Sequence, residues 1–485
     1  MRRFGYRQQV AAAALLSVAL RAAFLFVPIS PDEGGYLAIA RSWRHGATLY
    51  KDIWIDRPQG LLAIYRFFDL LGGTSSTVRL LSLLAAVITV VGIAELVRSL
   101  GTPAAGAAAA LVAAFLTTAP ALDGFAANGE LLGGSFGALA LGIGARVLTR
   151  RCSGRWMVAA GALAGAALSV KQSSADSLAA LLIWLSLAVL FGLLPRREAV
   201  LHLARCAAGA VLVIGVLLLH AALTGWDRWY YAILGYRVSQ RSALENVNWD
   251  RLTKTAPDVL PVLLPVVVAV VAAMLMLGWP RQRTLHWSST HLLLFLWVDL
   301  ALVMFLSGGQ FFHHYWLTLT YPIAAIGGLF IGGLRLRWWR RSFLAAALLP
   351  AALSWWSFAT TPPNELWQRL TGERRVVAAE QLGEWLPSVM QPGDTVFVMC
   401  SLPSFYAVAE KDPVYPYMWW DSVLNPTGAQ QAMIDLFTGT NPPTWVPRVF
   451  NPSQCNPSGE VATVFRDRYH LERVMFGIAI FRLNE

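Results

Sequence analysis

Long unbroken apolar stretches alternate with short, Arg-rich segments along the first three quarters of the chain. Runs at 10–28, 78–97, 104–120, 130–148, 156–170, 177–194, 205–223, 258–279, 291–306, 315–334 and 342–360 each approach the ~20 apolar residues that cross ~30 Å of hydrocarbon, and they predict about eleven transmembrane helices. An odd number puts the two ends of the chain on opposite sides of the membrane. From 361 onward the long runs give way to Pro-rich stretches (TPPNE, NPPTWVP, NPSQCNPSG). There a helical pattern over 364–386, the apolar run TVFVMC after the turn QPGD, and MFGIAIFRL near the end predict a small α/β domain. The expected organisation is an α-helical polytopic membrane domain over 1–360, with an amphipathic outer loop at 30–76, followed by an extracytoplasmic α/β domain over 361–485.

Composition agrees. Of 485 residues, 56% are hydrophobic and 14% charged, which excludes a string of soluble domains, a coiled coil, a disordered tail and a secreted disulfide knot. The net charge of +11 would suit nucleic acid, but its placement explains it otherwise. With the N-terminus in the cytoplasm, the inner segments hold Arg2, Arg3, Arg7, Arg98, Arg146, Arg150, Arg151, Arg155, Arg196, Arg197, Arg205, Arg281, Arg283, Arg335, Arg337, Arg340 and Arg341, while the outer loops 121–129 and 307–314 carry no Lys or Arg. This is the positive-inside pattern, so membrane lipid is an expected partner and nucleic acid is not. A strong Arg and Ala bias suits a bacterial chain. The basic start and the apolar run after it lack an A-x-A-like site before Pro31, so they read as an uncleaved first helix. Cys152 and Cys206 fall on the inner side and Cys400 and Cys455 on the outer, which leaves a Cys400–Cys455 disulfide open. No CxxC pair, P-loop, GxGxxG or internal repeat is present.

The first outer loop carries the strongest motif, SPDEGGYLAIARSWRHGATLYKDIWIDRPQGLLAIYRFFDLLGG. Ser30 and Glu33 have capping-box spacing with Pro31 at the first helical position, which predicts a helix over 31–45 that stops at Gly46. A second helix is expected over 58–71, with Asp56 and Gln59 at capping-box spacing and Gly72-Gly73 as its end. Tyr36, Ala40 and Trp43 share one face of the first helix. Capping is a structural explanation of Asp32 and Glu33. It does not explain why an acidic pair sits just outside the first span, ahead of an aromatic-rich loop with Lys51, Asp52, Asp56 and Arg57.

In order and spacing, DEGGY, AR, G-x-x-LY-x-D, RPQGLLAIY and LLGG resemble the first outer loop of the GT-C class of polyprenyl-phosphate-sugar-dependent glycosyltransferases, which includes protein O-mannosyltransferases and lipid A aminoarabinose transferases. The likeness continues at ANGELLGG (127–134), LAGAALSVKQSS (163–174), FFHHYWLTLTYPIAAIGG (311–328) and EWLPSVMQPGDTVFV in the tail. Gln59 departs from it, because members more often have a second proline there. The resemblance implies a GT-C-like fold and an enzyme that moves a hexose or pentose from a polyprenyl-phosphate donor to an acceptor hydroxyl of a cell-envelope glycan, lipid or protein. Transfer would occur on the outer face, with inversion, and the donor would enter laterally between helices.

Such a donor carries its own leaving group, so transfer needs a base for the acceptor's proton and cations for the departing phosphate; no cofactor is required and a divalent metal is optional. Asp32 is the expected general base by motif position, with Glu33 positioning it or sharing the role. Lys171 is the first choice for the phosphate: two spans fit into 156–194 only if the turn near 171–177 is tight, which puts Lys171 at the outer interface. The alternative is a lysine that snorkels to the membrane edge. Arg57 is the second choice, against an ion pair with Asp52 or Asp56. Tyr36, Asp123, Glu130, His313, His314 and Tyr315 are expected to contact substrate; against this, Glu130 suits a helix start and the histidines suit hydrogen-bonded anchors. Two histidines without nearby carboxylates in sequence give no metal set. Within the spans, Arg21 and Asp299 are expected to pair with each other or with separate interior partners, and Arg79 and Glu95 to snorkel. Tryptophans near span ends suit aromatic belts. A transporter or lipid flippase is the rival reading, which would need ionisable groups at mid-membrane depth and a repeat.

Overall fold

The computed structural model describes residues 5–241, 248–278, 288–371 and 375–484. Arg2, Arg3, Arg281 and Arg283 lie outside the described residues. The chain enters as α1 (Tyr6–Ala22), followed by the two outer-loop helices α2 (Pro31–Arg44) and α3 (Gln59–Asp69). The bundle continues with α4 (Ser75–Leu100), α5 (Pro103–Leu116), α6 (Gly129–Leu148), α7 (Trp156–Val170), α8 (Asp176–Phe191) and α9 (Arg196–Thr224). After α10 (Trp226–Tyr230) and α11 (Tyr236–Arg241), it closes with α12 (Trp249–Leu277), α13 (His291–Gly308), α14 (Leu317–Gly332) and α15 (Arg337–Ala359).

Each expected span coincides with a helix. Among the described residues eight helices are long and apolar enough to cross a membrane, and α5 and α7 are shorter apolar helices. The chain is a multi-pass membrane protein. The short helices matter for function. At 14 and 15 residues, α5 and α7 stop early, and the turns after them carry Asp123 and Lys171 towards the site. The end of α5 is set by Thr117 and Thr118, whose hydroxyls donate back to the carbonyls of Ala113 and Ala114, and by Pro120 beyond them. Close approach in the bundle depends on small residues. A Cβ on Gly328 of α14 would run into the backbone of Ala109 in α5, and one on Gly142 of α6 into Gly92 of α4.

The start of α2 is as expected: Glu33 N–H donates to Ser30 Oγ and Ser30 N–H to Glu33 Oε2, both at 3.1 Å. The second capping box does not form. Pro58 occupies the position before α3 and supplies no side-chain bond, while Asp56 pairs with Arg57 instead. Gln59, the departure from the family pattern, ties the loop to later helices: its Nε2–H donates to Leu217 O (2.8 Å) and its Oε1 accepts from Trp229 Nε1–H (2.9 Å). Asp69 joins α2 to α3 through Arg41 (3.2 Å) and Arg44 (2.6 Å).

The expected Arg21–Asp299 pair is absent. Arg21 is buried and spends its donors on neutral acceptors: Gly124 O, Thr117 O, Thr118 Oγ1 and Ser17 Oγ, at 2.6–3.1 Å. It thereby clamps the turn that follows α5, where a helix end leaves carbonyls without partners. Asp299 lies on the exposed face of α13.

The C-terminal region contains α16 (Pro363–Thr371), α17 (Arg375–Trp385), α18 (Pro403–Val408), α19 (Trp420–Leu424), α20 (Ala429–Thr438), α21 (Pro452–Cys455) and α22 (Glu460–Arg468). Its strands β1 (Trp445–Arg448), β2 (Tyr469–Met475) and β3 (Ile478–Leu483) form an antiparallel sheet in the order β1-β3-β2. The pattern over 364–386 thus becomes two helices, with 372–374 outside the described residues. The stretch 395–400 is not a regular strand. It lies parallel to β1 through three backbone hydrogen bonds, from Trp445 N to Thr395 O, from Phe397 N to Trp445 O and from Met399 N to Pro447 O, and then breaks off where Cys400 takes φ +75°. MFGIAIFRL divides into the end of β2, a turn at Phe476-Gly477 and β3. Cys400 and Cys455 form a disulfide. This region packs directly on the outer loop: Arg41 Nη1–H donates to Ala407 O (2.9 Å) and Trp54 N–H to Pro416 O (3.0 Å).

Candidate functional site

Between the outer loop, the turn after α5, the start of α12, the start of α14 and the C-terminal region lies a cavity of about 1330 Å³. The motif at the start of α2 supplies its acid. Asp32 lines the cavity with its side chain 28% exposed, whereas Glu33, its neighbour, is fully buried and lines none of it. Glu33 Oε1 accepts from Arg79 Nε–H (2.6 Å) and from Ala127 N–H (2.8 Å), and Arg79 also donates to the carbonyls of Phe24 and Pro28. Arg79 therefore does not snorkel. With Glu33 it fixes the start of α2 against α4 and the segment before α6.

Around Asp32 the structure gathers groups that are far apart in sequence. His314 Nε2 lies 3.8 Å from Asp32 Oδ2 and 3.9 Å from Glu130 Oε1, and His314 Nδ1 lies 3.5 Å from Asp123 Oδ2. Asp123 adopts φ +50° in the turn clamped by Arg21, and its Oδ1 is buried without a hydrogen-bond partner. Asp32 Oδ1 accepts from the indole Nε1–H of Trp419 (3.0 Å). Tyr36 lines the same wall, in contact with the Tyr65 and Trp419 rings. Burial pushes the Tyr36 hydroxyl far above its ordinary pKa, and the Asp32 charge adds to the effect, so the phenol stays a donor.

The same cavity holds a cationic cluster. Asp56 pairs with Arg57 (2.6 Å) and with Arg237, and both guanidinium groups line the cavity. Burial opposes charge on Asp56, but Arg237, Arg57 and Lys171 outweigh it and hold the carboxyl below the ordinary range. Burial likewise opposes the Arg57 charge, and Asp56 together with Tyr36, Tyr315 and Asp32 more than compensates, so Arg57 is firmly cationic. Arg57 Nε is buried with no partner. The cluster has two charged guanidiniums for one carboxylate, and so retains capacity for a further anion.

Lys171 is brought close but does not line the cavity. It is buried, pairs with Glu130 in the first turn of α6, and its Nζ sits 4.1 Å from the Tyr315 ring centre. His313 contacts Asp258 (3.2 Å) rather than Asp32, though it lines the cavity together with Tyr315. Sequence reasoning missed Arg237, Arg251 and Trp419. Arg251 lines the cavity, with its Nη1 donating to the carbonyl and side-chain oxygens of Gln310 and its guanidinium over Phe312. The two arginines stand on α11 and in the first turn of α12, in a polar stretch of sequence where nothing local marks them, and Trp419 reaches Asp32 from 387 positions away. Among the described residues no group of three or more His, Cys, Asp or Glu is arranged to hold a metal ion.

Residues 56–220, about a third of the chain, match the model of the dolichyl-phosphate-mannose-protein mannosyltransferase family. No curated protein is similar enough in sequence to count as a match. Among solved structures, the chain is similar to ArnT from Cupriavidus metallidurans bound to undecaprenyl phosphate, with 13% identity over 98% of this chain and 97% of that one and a TM-score of 0.68. It is also similar to the Archaeoglobus fulgidus oligosaccharyltransferase tethered to an acceptor peptide (13% identity, 96% and 68% covered, TM-score 0.57). The same archaeal enzyme, AglB, in complex with an inhibitory peptide and a dolichol-phosphate matches at 13% identity over 99% and 74%, with a TM-score of 0.53. Identity at this level speaks to architecture alone: the fold of this chain is that of the GT-C class of membrane glycosyltransferases.

Proposed function

We propose that the chain is a glycosyltransferase that takes a sugar from a polyprenyl-phosphate carrier and passes it to an acceptor hydroxyl. The observation that carries this reading is one cavity lined both by a partly exposed carboxylate, Asp32, and by the Arg57–Arg237 pair, which shares one counter-ion. The acceptor oxygen attacks the anomeric carbon, the bond from that carbon to the phosphate oxygen breaks, and the acceptor's proton passes to Asp32. The phosphate leaves with its charge balanced by Arg57 and Arg237, while Lys171 and Glu130 form a buried support beneath Tyr315. Displacement by one attacking oxygen inverts the anomeric centre. Glu33 positions the start of α2, and Asp123 and His314 orient the acceptor beside Asp32. The family match and the lipid phosphates named with the similar structures support a carrier of this class.

The proposal extends to the surroundings. The sugar is a hexose or pentose, the acceptor a glycan, lipid or protein of the cell envelope, and the membrane a bacterial plasma membrane. The Arg-rich segments face the cytoplasm with the N-terminus, and the cavity and C-terminal region face outward. The test is transfer from radiolabelled polyprenyl-phosphate sugars in membranes containing either the wild type or Asp32→Asn at equal abundance. Donor-dependent labelling lost in Asp32→Asn is the expected result; full labelling by Asp32→Asn would remove the assignment.

A further inference from the structure

The two glycines that follow the acidic pair have a structural cause. A Cβ on Gly34 would run into the Ser404 backbone, and one on Gly35 would sit inside the Trp419 ring, 2.9 Å from Pro403 Cβ. The DEGG sequence therefore makes a notch in the first turn of α2, and the C-terminal region fills it with an indole. The indole is held from several sides. Its ring is 5.9 Å from that of Tyr36, the preceding Met418 is buried, and one residue further back the Tyr417 ring lies tilted against Trp54 at 5.5 Å, the Trp54 backbone N–H donating to Pro416 O. A segment clamped at Trp54 and at the notch has little freedom to rotate.

We propose that Trp419 is a positioning residue for Asp32, so that the reactive carboxylate is completed by the C-terminal region. This rests on the glycosyl-transfer reading above. The Trp419 Nε1–H donates to Oδ1, which fixes the carboxylate plane and leaves Oδ2, the oxygen 3.8 Å from His314, to receive the acceptor's proton. An indole suits this place because it is a donor that neither titrates nor accepts. It cannot compete with Asp32 for the proton, and its rigid bicycle fills the glycine notch without a flexible chain to order.

The test uses the full chain in lipid nanodiscs with two readouts. In the first, indole 15N–1H spectra identify the Trp419 resonance as the one missing from Trp419→Phe; it is expected to shift in Asp32→Asn more than the other indoles. In the second, release of polyprenyl phosphate is followed from a panel of polyprenyl-phosphate mannose, glucose and arabinose, with bacterial lipid extract as acceptor. Trp419→Phe is expected to lower kcat roughly 10- to 100-fold, the range of a lost hydrogen bond to a charged group, with KM held within about twofold and no further loss when added to Asp32→Asn. Gly35→Ala, which fills the notch and keeps the donor, is expected to move the same resonance and to show the same split between kcat and KM. A Trp419 resonance indifferent to Asp32→Asn, or a Trp419→Phe protein as fast as wild type, overturns the proposal. A wild type that turns over no donor in the panel counts against the transfer reading instead, and the indole shift then decides the contact on its own.

Discussion

Two charged regions lie side by side around the start of α2, and they are built on opposite rules. In the layer beneath the cavity, charges are buried and matched: Glu33 with Arg79, Lys171 with Glu130, and Arg21 with four neutral oxygens. At the cavity wall the matching is deliberately incomplete. Asp32 has an indole on one oxygen and only a histidine near the other, and two arginines share Asp56. Buried charges without partners are expensive, so the lower layer satisfies its own. The wall is left with capacity to spend on a ligand. The contrast sorts Asp32 from Glu33, two acids that stand side by side in the first turn of α2.

The largest effect should come from Asp32→Asn, which removes the proposed base but leaves the Trp419 contact an acceptor. Transfer is expected to fall by roughly 10²- to 10⁴-fold, with the thermal unfolding midpoint close to wild type; an equal loss of both would merge the two regions. Glu33→Gln should do the reverse. Breaking a fully buried ion pair costs about 3–5 kcal/mol, so the unfolding midpoint in nanodiscs should drop sharply. Glu33→Met combined with Arg79→Met should recover part of that loss. Next in size, Arg237→Ala should weaken binding of polyprenyl phosphate by roughly 10- to 100-fold, as expected for loss of a charge-assisted contact, measured by titration into the nanodisc-embedded protein with little change in melting.

The smallest effect concerns Asp56 and acid. Its native carboxyl titrates below the ordinary value of 3.8, because Arg237 and Arg57 outweigh burial. A group depressed in this way contributes stability above the unfolded value and loses it as pH falls through the native one. Melting curves of wild type and Asp56→Asn should therefore be separated at pH 7 and converge on acidification below 3.8. A gap of the same size at both pH values would show that the ion pair contributes nothing to folding.

Much of the architecture was legible because lipid imposes length and polarity on every crossing: each apolar run found its helix. Local chemistry was legible too. Ser30 and Glu33 cap α2, and the tight bend at Lys171 forms. Readings failed where one residue had competing partners. Asp56 has capping-box spacing ahead of α3 but pairs with two guanidiniums, one of them on the distant α11, while of the two readings for Arg21 the structure takes separate interior partners, in the turn after α5, over a pair with Asp299. Trp419 left no local signal, since the groups that receive it are two glycines and a carboxylate near the other end of the chain. Only the pair of glycines hinted that something must press on α2.

The shared Asp56 also bears on traffic through the site. Under the proposed reading, a phosphate entering this pocket would meet a resident anion already shared by both guanidiniums, and would have to compete with it rather than fill an empty cradle. Such competition would favour a headgroup that engages both forks at once over one that reaches a single guanidinium.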